Sequence, residues 1–202
     1  MYVIGLTGNF GSGKSTVGHM FKRCGSYLID ADQVVHVLLK SNSPCYRQIV
    51  HYFGKGILSG SKINRAALAA EVFGHPHKLK ILTNILHPAA WEVIHNKVLE
   101  FKKQKRKAVV IEAPLLIEAG WDKKVDVVIV VRSNVRQQLE RVSKRMAISR
   151  SQFLKRIRSQ FNTQKKMRRA DFVIDNRGSL RTTRRQVQEI WNCIAHKCSH
   201  AI

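Results

Sequence analysis

The sequence predicts an α/β fold, a parallel sheet with helices on both faces, and three observations point there. Short apolar runs of strand length recur at residues 2–7, 27–30, 108–112, 125–131 and 171–174. Segments with helical spacing lie between them, and strands that alternate with helices build a parallel sheet. The run 125–131 is apolar at nearly every position, as a central strand covered on both faces should be.

A chain of 202 residues accommodates one such core with inserted subdomains. Hydrophobic residues at 44% and charged residues at 24% match a globular protein and exclude a disordered or membrane-embedded one. No run approaches the roughly 18 apolar residues of a membrane span, and the opening lacks the basic and apolar blocks of an export leader. Cys24, Cys45, Cys193 and Cys198 are scattered rather than framed as a disulfide scaffold, which points to a reducing cytoplasm. The formal charge of +23 invites a nucleic-acid reading, yet no recognised nucleic-acid module accompanies it. A protein holding phosphorylated nucleotides needs cations as well.

Taken in order, residues 2–7 open the sheet and residues 27–30 follow as the second strand. The interval 34–107 is too long for a simple crossover and reads as helices, among them 44–52, 65–72 and 89–103. The interval 133–169 is helical and very basic, with Glu140 as its acidic residue. The expected organisation is one catalytic unit: a core of residues 1–33, 108–132 and 170–202, with insertions at 34–107 and 133–169. Oligomeric state is not legible.

Directly after the first strand, Gly8-Asn9-Phe10-Gly11-Ser12-Gly13-Lys14-Ser15 fits the pattern GxxxxGK[ST] and precedes a helical segment. That context makes it a phosphate cradle. Gly11 and Gly13 let backbone N–H groups turn inward where a side chain would block phosphate, with Ser12 between them. The helix N-terminus adds unsatisfied donors and a positive dipole end. Lys14 is placed to reach the β- and γ-phosphates of ATP, the Ser15 hydroxyl is a magnesium ligand, and Thr16 extends the nest.

The second strand ends in Asp30-Ala31-Asp32, at the sheet edge where ligands bind. One carboxylate suits a general base for an attacking hydroxyl, the other a group that orients metal or acceptor. The alternative is that Asp32 caps a helix over 33–39. Glu112, at the end of the strand 108–112, stands where such enzymes place a carboxylate near magnesium, and its structural and functional readings are equally open.

In this order the residues resemble the dephospho-coenzyme A kinase family. The resemblance rests on the phosphate loop, Asp30-Ala31-Asp32 with His36, Phe53-Gly54, Ile63-Asn64-Arg65, Val72-Phe73, Leu86-His87-Pro88 and Pro114-Leu115-Leu116. It continues through Gln138-Leu139-Glu140-Arg141 with Arg145, Gln160, and 170–178, so that it covers nearly the whole chain. It implies a P-loop nucleoside-kinase-like core with a helical substrate-binding insertion at 34–107 and a helical lid at 133–169. The implied reaction moves the γ-phosphate of ATP to the 3′-hydroxyl of dephospho-coenzyme A. By similarity Asp32 is the general base, Lys14 holds the triphosphate, and Arg141 reaches its phosphates, with Arg145 one turn further. Asn176 and Gly178 resemble the segment against the adenine. Asp30, His36 and His87 fall on the acceptor side. Family members commonly carry Gly-Gly-Ile where this chain has Gly8-Asn9-Phe10, at positions that the phosphate-loop pattern leaves variable.

His87 before Pro88 also suits a boundary between helices, and His36 also suits a satisfied surface histidine. Cys193, His196, Cys198 and His200 match no common zinc spacing. The rival functions are a nucleoside or nucleotide monophosphate kinase, which shares cradle and lid, and a nucleic-acid-binding NTPase prompted by the charge.

Overall fold

The computed structural model describes residues 1–104 and 107–199, with side chains to residue 194 at the C-terminal end. Along the chain run β1 (Tyr2–Thr7), α1 (Lys14–Arg23), β2 (Tyr27–Asp30), α2 (Ala31–Leu38) and α3 (Pro44–Phe53). Next come β3 (Leu58–Ser59), β4 (Lys62–Ile63), α4 (Arg65–Val72), α5 (Pro76–Lys103) and β5 (Ala108–Glu112). The chain finishes with β6 (Val127–Arg132), α6 (Val135–Ser143), α7 (Arg150–Arg158), α8 (Thr163–Met167), β7 (Phe172–Asp175) and α9 (Leu180–Ser199). Two compact units emerge, residues 1–30 with 98–202, and residues 31–97.

The first unit holds a parallel sheet in the order β2-β5-β1-β6-β7, five-stranded among the described residues. The fold class is therefore the expected one. Because β1 lies inside and the chain crosses from it to β2 on one side and later to β6 on the other, the strand order reverses at β1. A crevice opens at the carboxyl ends of strands beside such a reversal. Every residue of β5 is buried, as are Val127 to Val131 of β6, which explains their near-continuous apolar character. Ile4, Leu6, Val17, Phe21, Ile129 and Ile174 form the centre of the core, all fully buried. Val187, Ile190 and Ile194 bring α9 onto the same cluster, and the Trp191 ring meets Phe21 at 6.5 Å.

The edges of two expected strands shift by a residue or two, for a common reason. Asp126 Oδ2 accepts the Val3 amide at 2.7 Å while its own amide donates to Val3 O, so the β6 strand proper begins at Val127. Asp171 Oδ2 likewise accepts the Val128 amide, and β7 runs from Phe172 to Asp175. Short acidic side chains replace ladder bonds at these strand starts.

The second unit is helical, with a short β3–β4 hairpin turning at Gly60, φ 59°. Cys45, Ile49, Ile57, Leu68, Val72 and Leu86 form its core. Ser43 caps α3 by accepting the Tyr46 amide, and Asn64 caps α4 by accepting the amides of Ala66 and Ala67. Two sequence expectations are corrected here. α2 begins at Ala31 rather than 33, so Asp32 lies inside the first helical turn and is not its cap. Nor does Pro88 divide two helices: α5 is continuous from Pro76 to Lys103 with Pro88 inside it. Leu82, Leu86, Ala90, Ile94 and Val98 recur every fourth residue and are all buried. That stripe outweighs the single backbone bond proline cannot donate.

Candidate active site: a phosphate cradle at the switch point

Gly8 leaves β1 with φ 151°, and a Cβ there would stand 2.3 Å from Val131 O. Gly11 and Gly13 also have positive φ, 80° and 93°. A Cβ on Gly11 would meet Gln138 O at 2.7 Å, and one on Gly13 would meet Asn176 Nδ2 at 2.1 Å. Contacts under 3 Å with backbone and a fixed amide cannot be relieved cheaply, so the loop's glycines are required by sterics as well as by conformation. Inside the turn, Asn9 O accepts the Ser12 amide at 3.0 Å and the Lys14 ammonium at 3.2 Å. Lys14 is 7% exposed, so its charge is held at the loop rather than in bulk solvent.

α1 starts at Lys14, and its first turn carries Ser15, exposed, and Thr16, half-buried. The Ser15 hydroxyl donates to Glu112 Oε1 at 2.7 Å. Glu112 is buried at the carboxyl end of β5, in register with Leu6 and Asp30. Glu112 therefore stands beside the first turn of α1, next to the loop. A hydroxyl beside a carboxylate is the hard oxygen donor set that suits magnesium.

Arg141, on α6, closes the cradle from the other side. Its Nη1 donates to Ser12 O at 3.3 Å and to Ser133 Oγ at 3.2 Å, and its Nη2 donates to Asn176 O at 2.8 Å. Asn176 is buried, giving Nδ2 to Ser12 O at 2.8 Å and receiving the Thr183 hydroxyl on Oδ1. Both ends of its carboxamide are thus engaged with protein. Gly178 lies exposed in the turn that follows. Arg145 is exposed beyond the end of α6, where its amide donates to Val142 O, and so is not one turn further along the same helix. At the far edge, the Arg177 guanidinium, and then that of Arg132, holds the Asp175 carboxyl well below the usual carboxylate range, against the opposing effect of burial. These pairs clamp β6 to the turn carrying Asn176.

Asp30 ends β2 in the first unit, half-buried. In the second unit Asp32 and His36 are exposed on α2, four residues apart on one face. Arg65 donates to His36 Nδ1 at 3.1 Å, which puts the neutral ring's proton on Nε2. His36 therefore has a protein partner, and the Asn64-Arg65 pair serves both a cap and that contact. His87 is half-buried within α5. Cys193 is exposed, His200 lies outside the described residues, and so do the side chains of His196 and Cys198. Among the described residues no group of His, Cys, Asp and Glu could hold a metal by itself, and no helix is long and apolar enough to cross a membrane.

The residues to which sequence reasoning gave no role are polar groups in and around the loop, among them the buried Asn9, Gln138 and Lys166 and the half-buried Glu118. Lys166 is fully buried, pairs with Glu118 at 2.9 Å and donates to Pro114 O at 2.6 Å. Burial lowers its pKa, and Glu118 opposes that shift. In a stretch this basic, nothing in the spacing separates a buried lysine from its solvated neighbours.

With this geometry established, the comparisons with known proteins agree among themselves. The dephospho-CoA kinase family model matches residues 2–182. The dephospho-CoA kinase of Symbiobacterium thermophilum is 42% identical over 192 residues, which are 95% of this chain and 80% of that one. Among solved structures, TT1252 from Thermus thermophilus superposes with a TM-score of 0.78 at 30% identity, covering 95% of this chain and 96% of that one. The dephospho-CoA kinase from Campylobacter jejuni gives a TM-score of 0.69 at 28% identity, covering 96% and 98%.

Proposed function

Because the chain belongs to the dephospho-CoA kinase family, we propose that it transfers the γ-phosphate of ATP to the 3′-hydroxyl of dephospho-coenzyme A, releasing ADP and coenzyme A as the final step of coenzyme A biosynthesis. The observation that carries this reading is the cradle itself, with the Lys14 ammonium, the Ser15–Glu112 pair and the Arg141 guanidinium converging on one glycine loop. Phosphoryl transfer has little covalent chemistry for a protein to perform; it is accelerated by positioning and by cations around the equatorial oxygens.

In this mechanism the loop amides and Lys14 hold the β- and γ-phosphates, with Thr16 completing the nest. Arg141 supplies charge at the transferring group, and the exposed Arg145 is the second lid cation. Asp32 takes the proton of the attacking 3′-hydroxyl; its support is its place two residues beyond the carboxyl end of β2. Asp30, His36 and His87 serve acceptor binding, and Asn176 and Gly178 border the adenine. Ser15 would hold Mg2+, with Glu112 behind it. When bound, that ion would supply positive charge at the phosphates. Residues 34–107 form the acceptor-binding insertion and 133–169 the lid, which excludes water that would otherwise hydrolyse ATP. A reducing cytoplasm is the compartment this reading assigns to the reaction, and the scattered cysteines support it.

The test is incubation with ATP, magnesium and dephospho-coenzyme A, with the product identified by mass. One added phosphoryl group on the acceptor, matched by ADP, is expected. Preferential phosphorylation of nucleoside monophosphates, or ATP turnover stimulated by nucleic acid and indifferent to dephospho-coenzyme A, would replace this reading with the corresponding rival.

A further inference from the structure

We propose that Asn9 is a positioning residue for phosphoryl transfer: its carboxamide pins the rim of the phosphate loop to the 161–163 segment and so holds in place the carbonyl on which Lys14 rests. The inference rests on the reading of this loop as a triphosphate cradle and adds to it a residue the loop pattern leaves unspecified.

Asn9 is 3% exposed, and both ends of its side chain are occupied. Nδ2 donates to Phe161 O at 3.1 Å, and Oδ1 accepts the Thr163 hydroxyl at 3.1 Å. A buried carboxamide satisfied at both ends has one orientation, and turning it would strand a donor and an acceptor together. The next residue adds a second fastening. The Phe10 amide donates to Gln160 Oε1 at 3.0 Å, and its ring lies 4.1 Å beneath the Arg156 guanidinium. Loop and helical segment are therefore joined at consecutive residues on both sides.

The segment so joined is itself anchored from behind. The Phe161 amide donates to Glu118 Oε1 at 2.8 Å, and Glu118 pairs with the fully buried Lys166. Lys166 also donates to Pro114 O, which accepts the hydroxyl of Thr7, the last residue of β1. The connections close a circuit. They run from the end of β1 through Pro114, Lys166 and Glu118 to Phe161, and return through Asn9 to Lys14. A lysine side chain has many rotamers, and a carbonyl fixed at 3.2 Å from its ammonium removes most of them before ATP arrives. Because transfer depends on alignment, a shift of about 1 Å at a holding group costs up to about 100-fold in rate.

The experiment compares wild type with Asn9→Ala, Thr163→Val and Thr163→Ser, measuring kcat, the KM of each substrate, and the thermal midpoint. Asn9→Ala is expected to lower kcat about tenfold while the KM for dephospho-coenzyme A stays within about twofold. Thr163→Val, which keeps shape and removes the hydroxyl, should lower kcat about threefold, and Thr163→Ser should restore it. Unchanged kcat in both Asn9→Ala and Thr163→Val overturns the proposal. So does a loss that merely follows the folded fraction, or failure of Thr163→Ser to exceed Thr163→Val. Acceptor-free ADP release from ATP, measured on the same variants, reads the loop independently. If the wild-type protein failed to phosphorylate dephospho-coenzyme A, the acceptor assignment would fall while this comparison kept its force.

Discussion

Arg141 shows how much one side chain's role depends on where its donors point. Its guanidinium rests on the carbonyls of Ser12 and Asn176, so it is held at the cradle without an anion to attract it. A planar fork fixed by backbone acceptors is preorganised for phosphate, and lysine, a point charge on a flexible stem, cannot reproduce it. Arg141→Ala is expected to lower kcat about 100-fold and to change the KM for dephospho-coenzyme A by less than about threefold, with Arg141→Lys recovering little. Steady-state kinetics on both substrates checks this, and wild-type turnover in the alanine variant would exclude the role. The arginine was legible from Gln138-Leu139-Glu140-Arg141 as a motif. Its carbonyl partners were not, since Ser12 lies 129 residues away in sequence and Asn176 lies 35 away.

At the scale of elements, the cradle works only if α1 seats correctly on the sheet. Gly18 makes that approach possible: a Cβ there would meet Leu28 Cδ1 at 3.0 Å and Glu112 Oε2 at 3.3 Å. Gly18→Ala asks the flexible leucine tip and the Glu112 carboxylate to give by a few tenths of an ångström and gains up to about 1 kcal/mol of helix propensity, so it should be nearly neutral. Gly18→Val has no such relief. It should cost about 1–3 kcal/mol of stability by overpacking and raise the KM for ATP, because Ser15 rides on the helix that is displaced from Glu112. Thermal melts with ATP titration decide the point, and an unchanged KM for ATP in the valine variant would sever helix seating from the site. The strands and most helices were readable at this scale from apolar runs and periodicity. Asp32's place in the helix and the continuity of α5 through Pro88 were not, because each is a local preference overruled by where a whole helix buries its stripe.

Across the whole molecule, the charge of +23 leaves the surface with a large excess of one sign. Several of the few carboxylates are committed to groups of the fold itself, Glu112 to Ser15, Glu118 to Lys166, and Asp126 and Asp171 to strand amides. The remaining cations repel one another, and exposed pairs such as Arg136–Glu140 and Arg185–Glu189 offset little of that. Raising ionic strength from about 0.01 to about 0.1 M shortens the screening length from about 30 to about 10 Å. The thermal midpoint is therefore expected to rise with salt, and a fall over that range in a calorimetric scan would show that attractive pairs dominate instead. What the sequence alone determined was the fold class, the phosphate loop, and the order of motifs that led to the family, because strand runs, helical periods and glycine spacing are local properties written within a few residues. The tertiary structure alone decided that Asn9 is a buried link rather than a tolerant loop position, that Glu112 meets Ser15, and that one lysine of a basic stretch lies in the interior. Those facts depend on which distant groups share a small, water-poor space, and there every donor and acceptor must find a partner.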